Sequence, residues 1–235
     1  MAGYINSIHT GSTVDGPGIR VCVFLQGCNL RCLYCHNPET WALKEGGSRF
    51  TSKALYEKII RYEPFFKNGG GVTVSGGEPL LQSEFVQEFF TLCKEKGIHT
   101  ALDTSGSLIP KNIDGLLEVT DLVLLDIKFT KKDEYKKNTL ADMDKVLRFL
   151  EILNEKKIPT WVRHVVVPGL TGKEEDMLYL KALKEMYQCI EKIELLPFRK
   201  LCLDKYDEMG IEFPLKDTPE AEEEEINRLY QILNG

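Results

Sequence analysis

Asp121-Leu122-Val123-Leu124-Leu125-Asp126-Ile127 is a nearly continuous apolar run held between two aspartates. A strand exposed on one face alternates apolar and polar residues, whereas a strand covered on both faces, as in a parallel sheet, reads as an unbroken apolar run. Similar short runs lie on either side, at 20–25, 72–74, 98–102, 160–167 and 192–196. Helical patterns separate them at about 51–62, 83–96, 110–118, 142–156 and 173–187, and an acid-rich helix is expected at 220–233. Six strands alternating with helices predict parallel pairing with right-handed crossovers. Six units are too few for a closed eight-stranded barrel, so the expected architecture is an open doubly wound sheet or an incomplete barrel. Function in either is expected at the C-terminal ends of the strands.

The chain has 235 residues, 43% hydrophobic and 28% charged, which suits one soluble globular domain. Its expected core is about 20–197, with 1–19 and 198–235 as appendages. A net charge of −6 argues against nucleic acid as the main partner. No apolar run reaches membrane-spanning length, and Met1-Ala2-Gly3-Tyr4-Ile5-Asn6 does not resemble a secretory signal. A cytoplasmic location is expected, where clustered cysteines bind metal or do redox chemistry rather than form disulfides.

Such a cluster follows the first strand: Gly27-Cys28-Asn29-Leu30-Arg31-Cys32-Leu33-Tyr34-Cys35-His36-Asn37-Pro38. Structural zinc takes four ligands; here there are three, and His36 adjoins Cys35 too closely to aim comfortably at the same ion. The C-x-x-C-H at 32–36 matches a haem-attachment pattern, but leaves Cys28 unexplained, as does a redox dithiol. An iron–sulfur cluster with one iron free of cysteine fits best. The isolated Cys22, Cys93, Cys189 and Cys202 read as small apolar residues, and His9, His99 and His164 as ordinary strand or core histidines.

C-x3-C-x2-C with Tyr34 before the last cysteine resembles the radical S-adenosylmethionine superfamily. With Thr13-Val14-Asp15-Gly16-Pro17-Gly18-Ile19-Arg20 ahead of it, the chain resembles the glycyl-radical-enzyme activases. Gly70 to Glu78, Leu102-Asp103-Thr104, Leu125-Asp126-Ile127-Lys128 and Ile193 to Pro197 extend the likeness over about 7–200. The resemblance implies a partial (β/α)6 barrel of TIM-like form. It implies a [4Fe-4S] cluster on Cys28, Cys32 and Cys35, whose open iron chelates S-adenosylmethionine. Reductive cleavage of that cofactor to methionine and a 5′-deoxyadenosyl radical would let a glycine hydrogen be abstracted from a protein substrate. That substrate would be pyruvate formate-lyase, with a flavodoxin or ferredoxin as electron donor and the activase acting as a monomer.

By the same resemblance, Tyr34, Cys35, His36, Gly76, Gly77, Glu78, Asp126, Ile127 and Lys128 adjoin the cofactor. Asp204 stands where a related enzyme carries a cofactor-contacting histidine. Asp103, Thr104 and Asp126 would supply oxygens to a monovalent cation, or Asp103 would cap a turn. Asp15 and Arg163 would face the incoming glycine. The absence of a second cysteine-rich insert argues against activases with extra clusters. The rival enzymatic reading is a small-molecule radical enzyme resembling carboxy-deazaguanine synthase, which leaves the Asp-Gly-Pro-Gly turn unexplained. The non-enzymatic rival is a three-cysteine electron carrier or zinc module.

Overall fold

The computed structural model describes residues 1–43, 45–66 and 69–235. Its frame is one sheet of eight strands: β1 (Ala2–Ser12), β2 (Arg20–Leu25), β3 (Ser48–Thr51), β4 (Gly71–Gly76), β5 (His99–Thr104), β6 (Leu122–Asp126), β7 (Thr160–Val166) and β8 (Ile190–Pro197). The spatial order is β3-β1-β2-β4-β5-β6-β7-β8. The six strands expected from the sequence are β2 and β4 to β8, and each pairs in parallel with the next. Helices α1 (Ser52–Ile59), α2 (Ser83–Lys94), α3 (Ile113–Glu118), α4 (Lys132–Thr139), α5 (Met143–Glu155) and α6 (Glu174–Met186) lie between strands. Helices α7 (Leu203–Glu208) and α8 (Glu223–Asn234) follow β8. Thr51 caps α1, as its position suggested, by accepting from the Ala54 N–H.

The sheet is open at its edges yet curls. In a flat sheet, β2 and β7 would stand four spacings, about 19 Å, apart. Instead Arg163 on β7 donates to the Val14 carbonyl, just ahead of β2, at 2.8 Å. That closeness makes the sheet an incomplete barrel with a concave inner face.

Alternation along β6 explains its unbroken apolar run. Val123 and Leu125 join the main core beneath the helices. Leu122 and Leu124 point the other way and pack with Ala101 and the edge of Trp161 as a separate small cluster. Continuing that inner face by the two-residue period brings Asp103 above Ala101, Asp126 above Leu124 and Arg163 above Trp161. An apolar plug therefore floors a charged cavity at the C-terminal ends of the strands.

Four elements depart from expectation. Residues 2–12, expected as part of an appendage, form β1, antiparallel to both β2 and β3. Register shifts at Ile5/Ser7 and Thr10/Ser12 break its two-residue alternation, which is why the pattern is not legible as a strand. β3 is a short polar edge strand, mostly exposed. Helix α4 carries charge on five of its eight residues and buries only Tyr135, Asn138 and Thr139. Helix α7 lies within 197–219, expected to be irregular, and is a single short helix held by buried Tyr206.

Candidate active site

A cavity of about 330 Å³ opens at the C-terminal ends of the parallel strands. Its wall includes Asp15, Cys28, Cys32, Tyr34, Cys35, His36, Gly76, Gly77, Glu78, Asp103, Thr104, Asp126, Lys128 and Arg163. These residues come from six separate stretches of chain. Of the residues singled out in the sequence, Ile127 and Asp204 do not line it. Ile127 is 1% exposed and its carbonyl accepts from His164 Nδ1.

The cysteine loop is pinned on both sides of Cys32. The Arg31 and Leu33 N–H groups donate to the Thr139 and Asn138 carbonyls at the end of α4, at 2.8 and 3.0 Å. Burial pushes the Cys28 and Cys32 thiols up to about 12 and raises Cys35 as well. A metal centre relieves that penalty by compensating the thiolate charge. The histidine beside them is committed elsewhere: His36 Nε2 donates to the Arg199 carbonyl at 2.7 Å. Burial also lowers its pKa, so the ring is neutral near pH 7. Cys28, Cys32 and Cys35 thus line one cavity without a fourth protein ligand among the described residues, and although their side chains do not close to the spacing of a single bound ion, three thiols are the donor chemistry of a cluster that keeps one iron open.

Gly76 and Gly77 are required by backbone proximity. A Cβ on Gly77 would stand 2.1 Å from the Gly27 carbonyl oxygen. Glu78 N–H donates to that same oxygen at 2.8 Å. Gly76 has φ +114, and a Cβ there would meet the β2 backbone at 2.1 Å. The bare glycine edge expected to admit a ligand therefore first admits the cysteine loop. The Glu78 side chain, 1% exposed, accepts from Thr104 Oγ1 at 2.5 Å, Ser105 N at 3.0 Å, Leu80 N at 3.1 Å and Ser105 Oγ. Its carboxylate ties the β4 loop to the β5 loop.

The inner floor carries alternating charge. Lys128 Nζ donates to Asp126 Oδ2 at 2.8 Å, as their shared face suggested. Burial opposes the lysine charge, but the neighbouring Asp126 carboxylate outweighs it and holds Lys128 protonated. Asp103 accepts from Ser75 Oγ at 2.6 Å, and burial raises its pKa to about 6 against the pull of Arg163. Arg163 lies 3.5 Å from Asp103, 3.8 Å from Asp15 and 3.5 Å from Glu194. The Glu194 contact is electrostatic only, since Arg163 Nε and Glu194 Oε2 form no hydrogen bond. Asp15 also accepts from Ser12 Oγ at 2.5 Å and from the Cys22 thiol at 3.1 Å, so Cys22 is more than apolar filling. Asp103 and Asp126 share the cavity, but the Thr104 hydroxyl is turned to Glu78. Among the described residues, no three His, Cys, Asp or Glu side chains close to metal-holding spacing.

The loop after β8 contributes residues other than the one expected. Tyr206 and Cys202 bury one side of α7, which turns Asp204 to solvent. Lys205 instead reaches the His36 carbonyl at 3.1 Å, Asn37 Oδ1 at 2.8 Å and Glu39 Oε1 at 2.6 Å. Tyr206 OH donates to the Cys35 carbonyl at 3.2 Å. Ser75, Glu194, Lys205 and Tyr206 were not legible in the sequence. Only the strand period could have flagged Ser75 and Glu194, by placing them on the inner face.

A three-sulfur donor set at the mouth of an incomplete βα barrel defines a class. The model of the Radical SAM superfamily matches residues 22–180, and the chain belongs to that superfamily. Its relatives there are pyruvate formate-lyase-activating enzymes, and it belongs to their family. It is 41% identical over 240 residues to the one of Listeria monocytogenes, covering 99% of this chain and 96% of the relative. It is 44% identical over 234 residues to that of Clostridium pasteurianum, covering 99% and 98%. The fold matches the crystal structure of a domain of pyruvate-formate lyase-activating enzyme from Bacteroides vulgatus. The TM-score is 0.59 at 24% identity, over 71% of this chain and 94% of that one.

Proposed function

We propose that this protein activates pyruvate formate-lyase by generating a radical on a backbone glycine of that enzyme. The carrying observation is the meeting, in one cavity, of three half-buried cysteines without a fourth protein ligand and the glycine loop at 76–78. When bound, a [4Fe-4S] cluster and S-adenosylmethionine supply the one-electron cleavage that yields methionine and a 5′-deoxyadenosyl radical. Cys28, Cys32 and Cys35 would hold the cluster. Tyr34, His36 and the 76–78 backbone form the wall against the cofactor, and Lys128 offers a fixed cation to its carboxylate. Asp103 and Asp126 are the oxygen donors open to a monovalent cation. Asp15, held by Ser12, Cys22 and Arg163, faces the incoming glycine with Arg163. The protein works in the cytoplasm as a monomer, with a flavodoxin or ferredoxin donating the electron. Among the described residues, no helix is long and apolar enough to cross a membrane.

Anaerobic reconstitution tests this reading. About four irons per chain, cleavage of S-adenosylmethionine on reduction, and a glycyl radical signal on added lyase are expected. Cys28→Ala, Cys32→Ala and Cys35→Ala should each abolish cleavage. Cleavage that survives any one of them would overturn the three-thiolate assignment. Cleavage without a glycyl radical would favour a small-molecule substrate.

A further inference from the structure

The indole of Trp41 lies against the cysteine loop, and its N–H completes no hydrogen bond. The single turn Pro38–Thr40 delivers it, with the Trp41 backbone N–H donating to the Pro38 carbonyl at 3.0 Å. The Gln26 side chain ties down the same segment by donating to the Glu39 and Ala42 carbonyls at 3.0 and 3.1 Å. Tyr206 packs at right angles to the indole, ring centres 6.0 Å apart, while its hydroxyl donates to the Cys35 carbonyl at 3.2 Å. The Arg31 guanidinium stacks over the ring, 5.0 Å from its centre. It is fixed there by donating to the Cys28 and Leu30 carbonyls at 3.0 and 2.6 Å. Trp41 is not part of the cavity wall, so it leaves the cofactor side of the cysteines free.

Packing accounts for the ring but not for its nitrogen. A buried indole N–H without a partner costs free energy that a phenylalanine in the same place would not. The acceptor within its reach is the Cys35 sulfur. Burial raises that thiol, and the Asn37 backbone N–H and the Trp41 indole N–H both pull it back. A protonated thiol is a weak acceptor, whereas a charged sulfur takes a much stronger hydrogen bond. The N–H is therefore unpaired beside a thiol and gains a partner when that sulfur carries charge.

We propose that Trp41 and Arg31 are positioning residues that act through Cys35. The indole N–H donates to the Cys35 sulfur in the cluster-loaded protein, the guanidinium above the ring strengthens that donor, and together they set how readily the cysteine-held group takes an electron. The physical reason is charge. An added electron makes the sulfurs more negative, so a donor to sulfur stabilises the reduced form more than the oxidised form and raises the potential. A cation over the ring face draws electron density from the indole and makes its N–H a better donor. Cys28 receives only a backbone donor of this kind, the Leu30 N–H at 3.4 Å, which any side chain at position 30 would supply. The indole is the donor that a substitution can remove. No bond is made or broken: one electron enters from the reductant. The inference rests on the functional reading above.

The test is a potentiometric titration of the anaerobically reconstituted protein with dithionite, followed by electron paramagnetic resonance. For Trp41→Phe, poised at the midpoint of the unaltered protein, the ratio of reduced to oxidised cluster should fall about tenfold, which is about 59 mV for one electron. Iron content should stay at about four per chain. Arg31→Met should lower the same ratio about threefold, and Arg31→Lys, which keeps a cation, should restore most of it. In the Trp41→Phe background Arg31→Met should have little further effect, because its charge acts through the indole. An unchanged potential in Trp41→Phe at full iron content would overturn the inference. So would loss of iron in that variant, which would make the ring mere packing for the loop. An Arg31→Met effect of equal size in both backgrounds would show the cation acting directly and would overturn the coupling. If the unaltered protein took up no iron, the functional reading would fall and this inference with it, an outcome told apart because every form would then lack the cluster.

Discussion

Glu78→Gln probes how the cavity wall is joined. In the native chain Oε1 serves the Thr104 hydroxyl and Leu80 N–H, and Oε2 serves the Ser105 N–H and hydroxyl. Glutamine keeps one acceptor oxygen and replaces the other with an amine. Whichever way the amide is turned, the hydroxyl facing the amine can rotate to accept from it, but the backbone N–H cannot. One buried N–H is therefore orphaned, at about 1–3 kcal/mol. The bonds that survive also lose their charge assistance, which roughly halves each. The expected total is about 2–4 kcal/mol. Urea denaturation followed by circular dichroism measures it on the isolated protein, and Thr104→Val, which removes one donor to the carboxylate and orphans the buried Gly106 N–H, should cost about 1–3 kcal/mol. S-adenosylmethionine affinity should fall with Glu78→Gln, because the 76–78 loop loses its tie to 104–105. A change below about 0.5 kcal/mol, the usual range for surface substitutions, would refute the claim that this carboxylate joins the two loops.

Other outcomes rest on the same geometry. Gly77→Ala places a Cβ 2.1 Å from the Gly27 oxygen and 3.2 Å from Cys28 Cβ. The cysteine loop must shift, so iron content after reconstitution should drop, whereas loss of cofactor affinity with full iron content would show that the glycine serves only the ligand. Lys205→Met removes three contacts to 36–39, and at 37% side-chain exposure the loss should be about 1 kcal/mol. It should loosen S-adenosylmethionine binding at constant iron content, measured by equilibrium dialysis. Asp103 has a folded-state pKa raised by burial to about 6 from an ordinary 3.8. The folded state thus binds the proton more tightly. This group's contribution is fully present below about pH 4 and is lost as pH rises through about 6. Asp103→Asn should flatten the pH dependence of stability across that window, and an unaltered profile would refute the assignment.

The sequence by itself determined the parallel frame and the cysteine site. Parallel strands buried on both faces need apolar residues at every position, and 121–127 announces this without reference to any neighbour. Three thiols within eight residues converge through local chain geometry alone, so Cys28, Cys32 and Cys35 were legible too. Tertiary structure decided the rest, because it depends on which distant residues the curl of the sheet brings together. The bulges in β1 erase its alternation, so its place in the sheet follows from pairing with β2 and not from its own pattern. Asp204 and Lys205 differ by one position, yet the rotation of α7 set by Tyr206 sends one to solvent and the other to the cysteine loop. Gly77 read as room for a ligand; only the path of residue 27 past it shows that the room is already used by backbone. Arg163 and Glu194 are register partners on adjacent strands and Asp103 lies two strands away, but Asp15 joins them because strands four positions apart fold toward each other. Local sequence carries backbone preference and short-range chemistry, while the electrostatics of the cavity belong to the closed shape.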